Sequence, residues 1–234
     1  LQLKETRPAH TKSPTGIPAA LKGFGAVLSQ RRFVGFALTR AASYGGMFAF
    51  ITGSPFVLIS LHQVSPEHFG WLFGSAAFAM VAASQLNMWL LRRFSSEQVL
   101  GGAMAVTALS GAALVVSATL FAGPGTGAAG LAALMIPQLF YSSTLGLVQP
   151  NAAAQAMAPF GERAGTASSV FGCIAFMFAG LASSSVSAFH DGTVLPMTGT
   201  IAACGVIAFL GYHLLAKSSP AQAAVRAAVD RAAD

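Results

Sequence analysis

Chemistry needs reactive or charged side chains brought to one place, and this sequence brings few of them together. Arg40 is the one charge clearly set inside an apolar run. His190 and Asp191 adjoin in "HDGT", His62 and His68 bracket "QVSPE", and His213 stands by itself near the end of another apolar run. Adjacent polar residues beside Gly192 read as turn chemistry. Two histidines with no third ligand at the right spacing do not make a metal site. Serine is plentiful, but there is no G-x-S-x-G elbow and no Gly-rich phosphate loop. Cys173 and Cys204 fall inside apolar runs without ligand-spaced partners and read as small packing residues. No catalytic residue, metal or cofactor follows from this inventory, and the chain does not read as an enzyme.

The composition says why. Of 234 residues, 54% are hydrophobic and only 9% charged, with a mean hydropathy of +0.65. A soluble domain carries about a quarter charged residues. No Asp, Glu, Lys or Arg occurs between Glu97 and Glu162. A bilayer core of about 30 Å needs about 20 apolar residues per helix, so that interval holds two crossings and a turn. Six spans are expected over the chain: Phe33 to Leu61, Phe69 to Leu91, Val99 to Phe121, Ala128 to Asn151, Ala164 to Phe189 and Val194 to Ala216. The connections "HQVSPEH", "RRFSSEQ", "AGPGTG", "AAAQAMAPFGER" and "HDGT" are short and mostly punctuated by Gly or Pro.

Orientation is read from Lys and Arg, which are retained at cytoplasmic ends. Lys4, Arg7, Lys12, Lys22, Arg31 and Arg32 precede the first span. Arg92 and Arg93 lie in the second loop, Arg163 in the fourth, and Lys217, Arg226 and Arg231 in the tail, while the first, third and fifth loops have none. Both ends are therefore expected in the cytoplasm. Residues 1–32 are expected to be a cytoplasmic linker with an interfacial helix in "IPAALKGFGAVLSQRR", residues 33–216 the six-helix bundle, and residues 217–234 a cytoplasmic tail. The net charge of +6 is accounted for by this topology. Nucleic acid is not an expected partner, because no basic stripe with interleaved aromatics lies outside the spans.

Inside the spans the polar residues are almost all neutral, and aromatics accompany them: Tyr44, Gln85, Asn87, Gln138, Tyr141, Gln149 and Asn151, with Phe48, Phe140, Phe171, Phe176 and Met177. Such a set suits a cavity that accepts bulky, poorly hydrated molecules. For any one Phe or Met, lipid contact or helix packing is the simpler reading. Arg40 reads either as an interfacial anchor whose stem snorkels to the headgroups or as a cavity-facing cation. "FAFITGSPFVLI" sets Gly53, Ser54 and Pro55 in the middle of a span, and "LVQPNAAA" sets Pro150 and Asn151 in another. Proline removes a backbone donor, so in lipid such breaks persist where neighbouring helices or a cavity satisfy the freed groups. Small residues in the fifth span, Gly165, Ser168, Ser169, Gly172, Ala175, Ala179 and Ser183, predict a face open to close helix approach.

"FAFITGSPFVLI", "SQLNMWLLRRF", "LGLVQPNAAAQAMAPFGERAGTASSVFG" and "FHDGTVLPM" together resemble the carboxy-terminal half of the bicyclomycin/chloramphenicol-resistance (Bcr/CflA) drug–proton antiporters of the major facilitator superfamily. The likeness runs from the opening "LKET" to about residue 216. It implies a twelve-helix inner-membrane exporter of which this chain supplies helices seven to twelve, built as two three-helix repeats. The first, second, fourth and fifth spans would border the central cavity, and the third and sixth would lie outside. Where the superfamily's loop signature has a Gly and an Asp, "SQLNMWLLRRF" has Ser84 and no acid, so Arg92 and Arg93 alone carry over as its basic end. The resemblance also implies that proton-titrating carboxylates belong to the amino-terminal half, which would couple protons to export. An opening at Leu1 rather than Met agrees with one half of something longer.

The expected function is thus the carboxy-terminal half of a multidrug antiporter that exports amphipathic, drug-like small molecules by alternating access. Its expected partners are an amino-terminal six-helix half, the lipid bilayer and, through that half, protons. Tyr44, Phe48, Gln138, Tyr141 and Phe176 are the expected substrate contacts, and Gly53, Pro55, Pro150 and Asn151 the expected bends and gating positions. A non-transporting six-span scaffold or assembly subunit is the alternative. A membrane enzyme would need paired acids inside the bilayer, and the sequence offers none.

Overall fold

Helices dominate because the apolar runs are long and their ends carry stop and start signals. A computed structural model describes residues 17–121 and 127–217, so most of the expected linker (1–16), most of the third connection (122–126) and nearly all of the tail (218–234) lie outside the described residues. The elements are α1 (Ile17–Leu28), α2 (Arg31–Ser54, continued by a π-helical turn Pro55–Leu61), α3 (Pro66–Leu90), α4 (Ser96–Phe121), α5 (Gly127–Met157), α6 (Ala164–Ala188) and α7 (Leu195–Gly211, continued by a π-helical turn Tyr212–Ala216). Six of them, α2 to α7, are long and apolar enough to cross a membrane.

The helix ends follow local chemistry. At the start of α4 the Ser95 hydroxyl accepts from the Gln98 amide at 3.3 Å, and the Gln98 side-chain carbonyl accepts from the Ser95 amide at 2.9 Å. These two bonds form a reciprocal capping box. Before α7, Gly192 takes φ +81, a left-handed conformation that glycine adopts without steric cost. Pro66 and Pro196 occupy first-turn positions, where a missing N–H is harmless. Three of the six spans agree with the expected limits to within about two residues at each end, and α3 and α4 each begin three residues early. The fourth also departs: α5 runs to Met157 rather than stopping at Asn151. "AAAQAM" is a strong helix-forming run, and a Pro inside a helix held by neighbours need not end it. Part of the expected connection "AAAQAMAPFGER" is therefore helix.

α2 and α5 are the central helices. α2 packs on α5, α6 and α7, α5 packs on α2, α3 and α4, and α4 packs on α7. Exchanging α2 with α5, α3 with α6 and α4 with α7 reproduces this pattern, so the bundle is two equivalent triplets. Its interior has two stacked parts. Phe33, Phe36, Leu100, Met104, Val148 and Tyr212 fill one, and Phe50, Val57, Leu114, Tyr141, Met197 and Ile201 the other. In lipid no hydrophobic force drives helix against helix, so close packing must supply the cohesion. The small-residue expectation for α6 holds at Ala175 and Ala179, which are buried, and is corrected at Gly165, Ser168 and Ser169. Ala167, Ala175, Ala179 and Ala182 are its buried small residues, whereas Gly165, Ser168 and Ser169 are uncovered, because it is the former set that turns toward α2.

The two ends of the bundle are chemically distinct. At one, Arg32 bridges Glu97 at 2.7 Å, and the Tyr212 hydroxyl donates to the Glu97 carbonyl at 2.6 Å. Arg31 donates to the Leu214 carbonyl at the same end. At the other, Phe56 meets the His190 ring at 4.4 Å, and Thr52 donates to Ser183 at 2.9 Å. The first end gathers the helix termini that carry Arg31, Arg92, Arg93, Arg163 and Lys217. α1 lies alongside α6 and buries Val27 while leaving Leu21 and Leu28 exposed.

Candidate functional site

Arg40, Tyr44 and Phe48 recur every four residues along α2 and so share one of its faces. That face borders α6. The Tyr44 ring lies 5.1 Å from Phe48 and 6.0 Å, edge-on, from Phe176 of α6. Tyr44 and Phe48 are half-buried, and Phe176 is 65% exposed. Three of the five expected contacts therefore form one aromatic shelf on the bundle surface.

Gln138 and Tyr141 are placed elsewhere. They are 2% and 0% exposed, inside the bundle between α5 and its neighbours. The Tyr141 hydroxyl donates to the Ser43 carbonyl at 3.2 Å. A methyl group on Gly46 would come within 2.0 Å of that oxygen, so α2 carries no side chain where the ring passes. Gln138 donates to Ser142 at 3.2 Å, and its own carbonyl oxygen is buried without a partner. Neither residue offers surface to a ligand in this conformation.

The positions expected to bend differ from one another. Pro55 opens the π-helical turn of α2, where the His62 amide reaches five residues back to the Val57 carbonyl at 3.1 Å. Gly53 is buried where α2 meets Met197 of α7, and its lack of a side chain makes room for that methionine. Pro150 lies within the continuous α5. Asn151 follows it and is buried, donating to Asn87 of α3 at 2.6 Å and to the Leu147 carbonyl at 2.7 Å, and accepting from Ser96 at 2.9 Å. Arg92 and Arg93 are exposed beyond α3, with Arg93 over the Trp89 ring at 5.3 Å.

Arg40 makes contacts with two neighbouring helices. Its Nε donates to the Gln149 side-chain oxygen at 2.5 Å, and its guanidinium lies 4.8 Å from the Phe171 ring and 5.9 Å from Tyr44. It thus reaches sideways across α5 and α6. At 1.5 Å per residue, Arg40, Gln149 and Phe171 lie about 14, 12 and 11 Å from the basic ends of their helices. That matching depth depends on α5 running on to Met157, and Gln149 and Phe171 were not among the expected contacts, because nothing in a sequence says which way α5 and α6 are turned.

A cavity of about 150 Å³ opens between α2, α3 and α5, lined by Met47, Phe50, Phe73, Met80 and Leu145. A larger groove of about 710 Å³ runs between α6 and α7 past Leu181, Phe189 and Leu195. It is a mostly apolar trough whose lining includes none of Tyr44, Phe48 and Phe176.

Asp191 in "HDGT" is a turn residue, as its neighbours suggested. Its carboxylate accepts from the Thr193 hydroxyl at 2.7 Å and from the Thr193 amide at 2.9 Å. These bonds, the side-chain one first, hold its pKa below the ordinary 3.8. A depressed carboxylate contributes when ionised, so its support of the turn is present above that value and lost as pH falls through the folded pKa. We expect hydrogen exchange at the Thr193 amide to quicken below pH 3.8 relative to amides in mid-α7. Equal acceleration at both would deny the carboxylate this role.

No protein-family profile matches the chain. It is 32% identical over 225 residues to the "Uncharacterized MFS-type transporter YdgK" of Bacillus subtilis (strain 168), which covers 95% of this chain and 53% of that protein. It is 30% identical over 213 residues to the "Bicyclomycin resistance protein homolog" of Haemophilus influenzae, covering 91% and 52%. The chain spans about half the length of these curated relatives. Six apolar helices in two matching triplets fit half of such a protein. The chain belongs to the major facilitator superfamily, and its match is consistent with the carboxy-terminal half of a Bcr/CflA-type member.

Proposed function

We propose that this chain is half of an exporter of amphipathic small molecules that works by alternating access at the inner membrane, with both termini cytoplasmic and proton coupling supplied by an amino-terminal half. The names of the relatives point to transport rather than catalysis. The observation that carries the reading is the aromatic shelf of Tyr44, Phe48 and Phe176, which stands open on the bundle surface beside a half-buried cation instead of being packed away. The neighbouring α3 is largely uncovered, with Trp71 81% and Phe78 74% exposed. A second bundle laid against α2, α3, α5 and α6 would turn the shelf into the wall of a central cavity. Gln138 and Tyr141 would reach substrate only in a conformation that parts α2 from α5.

The test is efflux. In cells lacking their other drug pumps, the intact protein should lower the steady-state level of a fluorescent amphipathic dye while a proton gradient stands, and collapse of the gradient should abolish this. A well-inserted protein that exports none of a broad panel of compounds would defeat the proposal. An aromatic contact contributes about 0.5–1.5 kcal/mol. Tyr44→Ala and Phe176→Ala should therefore each shift inhibitory concentrations by about two- to tenfold, unequally among drugs. A uniform fall that tracks protein level would place both residues in packing instead.

A further inference from the structure

The shelf ends at Arg40, and the donors around Arg40 are not all used. A guanidinium presents five N–H groups in a fixed fork. One, the Nε, is spent on Gln149, and the Nη groups find no acceptor among the described residues. The Gln149 amide nitrogen beside it is buried and also without a partner. Two donor groups from two helices, joined by the Arg40–Gln149 hydrogen bond, are thus left without acceptors. The Phe171 and Tyr44 rings lie about the guanidinium at 4.8 and 5.9 Å and restrict its orientation.

Among the described residues, no acidic side chain is in contact with Arg40. Glu97 is engaged with Arg32, and Glu67 and Asp191 belong to the opposite end of the bundle. A cation within a membrane span and without a counter-charge in contact is costly unless something negative meets it. A carboxylate has the right shape, because its two oxygens match the guanidinium fork and its charge shortens and strengthens the bonds.

We propose that the Nη groups of Arg40 and the amide nitrogen of Gln149 form a seat for a carboxylate, with the Tyr44, Phe48 and Phe176 shelf receiving the apolar body attached to it. The carboxylate has two sources: the transported molecule, in which case the inference rests on the export reading, or an acidic side chain of the other half. The first would make the substrate class amphipathic aromatic acids.

Binding by the purified intact protein tests this without any transport. The probe is a carboxylate-bearing xanthene dye compared with its methyl ester, by fluorescence anisotropy. A charge-assisted bond is worth enough that the acid should bind roughly tenfold or more tighter than the ester. Arg40→Gln should erase that ratio, Arg40→Lys should keep part of it by restoring charge without the fork, and Gln149→Leu should reduce it. If the wild type shows no preference, the protein's own carboxylate is the occupant. Arg40→Gln should then lower the melting temperature, and neutralising one acid within the other half's spans should restore it. Neither preference nor rescue overturns the proposal and leaves Arg40 a membrane anchor. A protein that binds the acid but exports nothing would sink only the transport reading, so the two failures are separable.

Discussion

Gly146→Val is expected to remove most of the folded protein from the membrane. A methyl group added at Gly146 of α5 would lie 2.2 Å from the Met80 carbonyl oxygen and 2.7 Å from the Ser84 amide nitrogen of α3. Both obstacles are backbone, so no rotamer change relieves them, and α3 as a whole must shift. α3 has its main support from α5 and little elsewhere. Overpacking a tight contact costs about 1–3 kcal/mol when side chains yield. With backbone on both sides we expect about 3 kcal/mol for Gly146→Ala and failure to accumulate for Gly146→Val. Gly102→Ala is the control, since nothing lies within 4 Å of that position and a helical Gly→Ala change gains about 0.5–1 kcal/mol. Detergent melting curves and gel-filtration profiles read both. Should Gly146→Val melt within a degree or two of the parent, the α3–α5 approach is looser than described.

Asn151→Leu should be the next most damaging change. The side chain ties α5 to α3 through Asn87 and to the start of α4 through Ser96, and it satisfies the Leu147 carbonyl a turn before itself. Removing it strands the buried Asn87 oxygen and the Ser96 hydroxyl. An interhelical hydrogen bond in a membrane protein is worth about 0.6–1.7 kcal/mol, and a stranded buried partner costs about 1–3 kcal/mol. The expected loss is about 2–3 kcal/mol. Asn87→Leu in the same chain should recover part of it, because two apolar side chains facing one another leave less unsatisfied than one. A double-mutant cycle with no coupling would show that the two asparagines do not act as a pair. The network also bears on gating. It sits directly after Pro150, so any movement of the basic end of α5 relative to α3 must first break it.

The contrast between Tyr141 and Tyr44 shows where sequence reading reaches its limit here. Both are tyrosines in central helices, and both are plausible stacking partners for a ligand. One is sealed between α2 and α5 by the space above Gly46, and the other stands on the surface beside Phe176. Pro55 was legible as a break, but the form of the break, a widened turn rather than an interruption, depended on what surrounds it. Arg40 was visible as an anomaly from composition alone, and its partners were not.

The number of spans, the two chemically different ends and the family likeness were all settled by the linear order of residues. Lipid imposes that outcome: each helix must satisfy its own backbone and match the bilayer's thickness before it meets a neighbour, so the signal is local. How each helix is turned about its axis was decided only in the assembled bundle. Lipid is as apolar as the bundle core, so a helix apolar all round carries no periodic mark of its inner face. That rotation, fixed by packing at Gly46, Gly146 and Ala175, is what sets Tyr141 inside, Tyr44 outside, and Arg40 against Gln149 and Phe171.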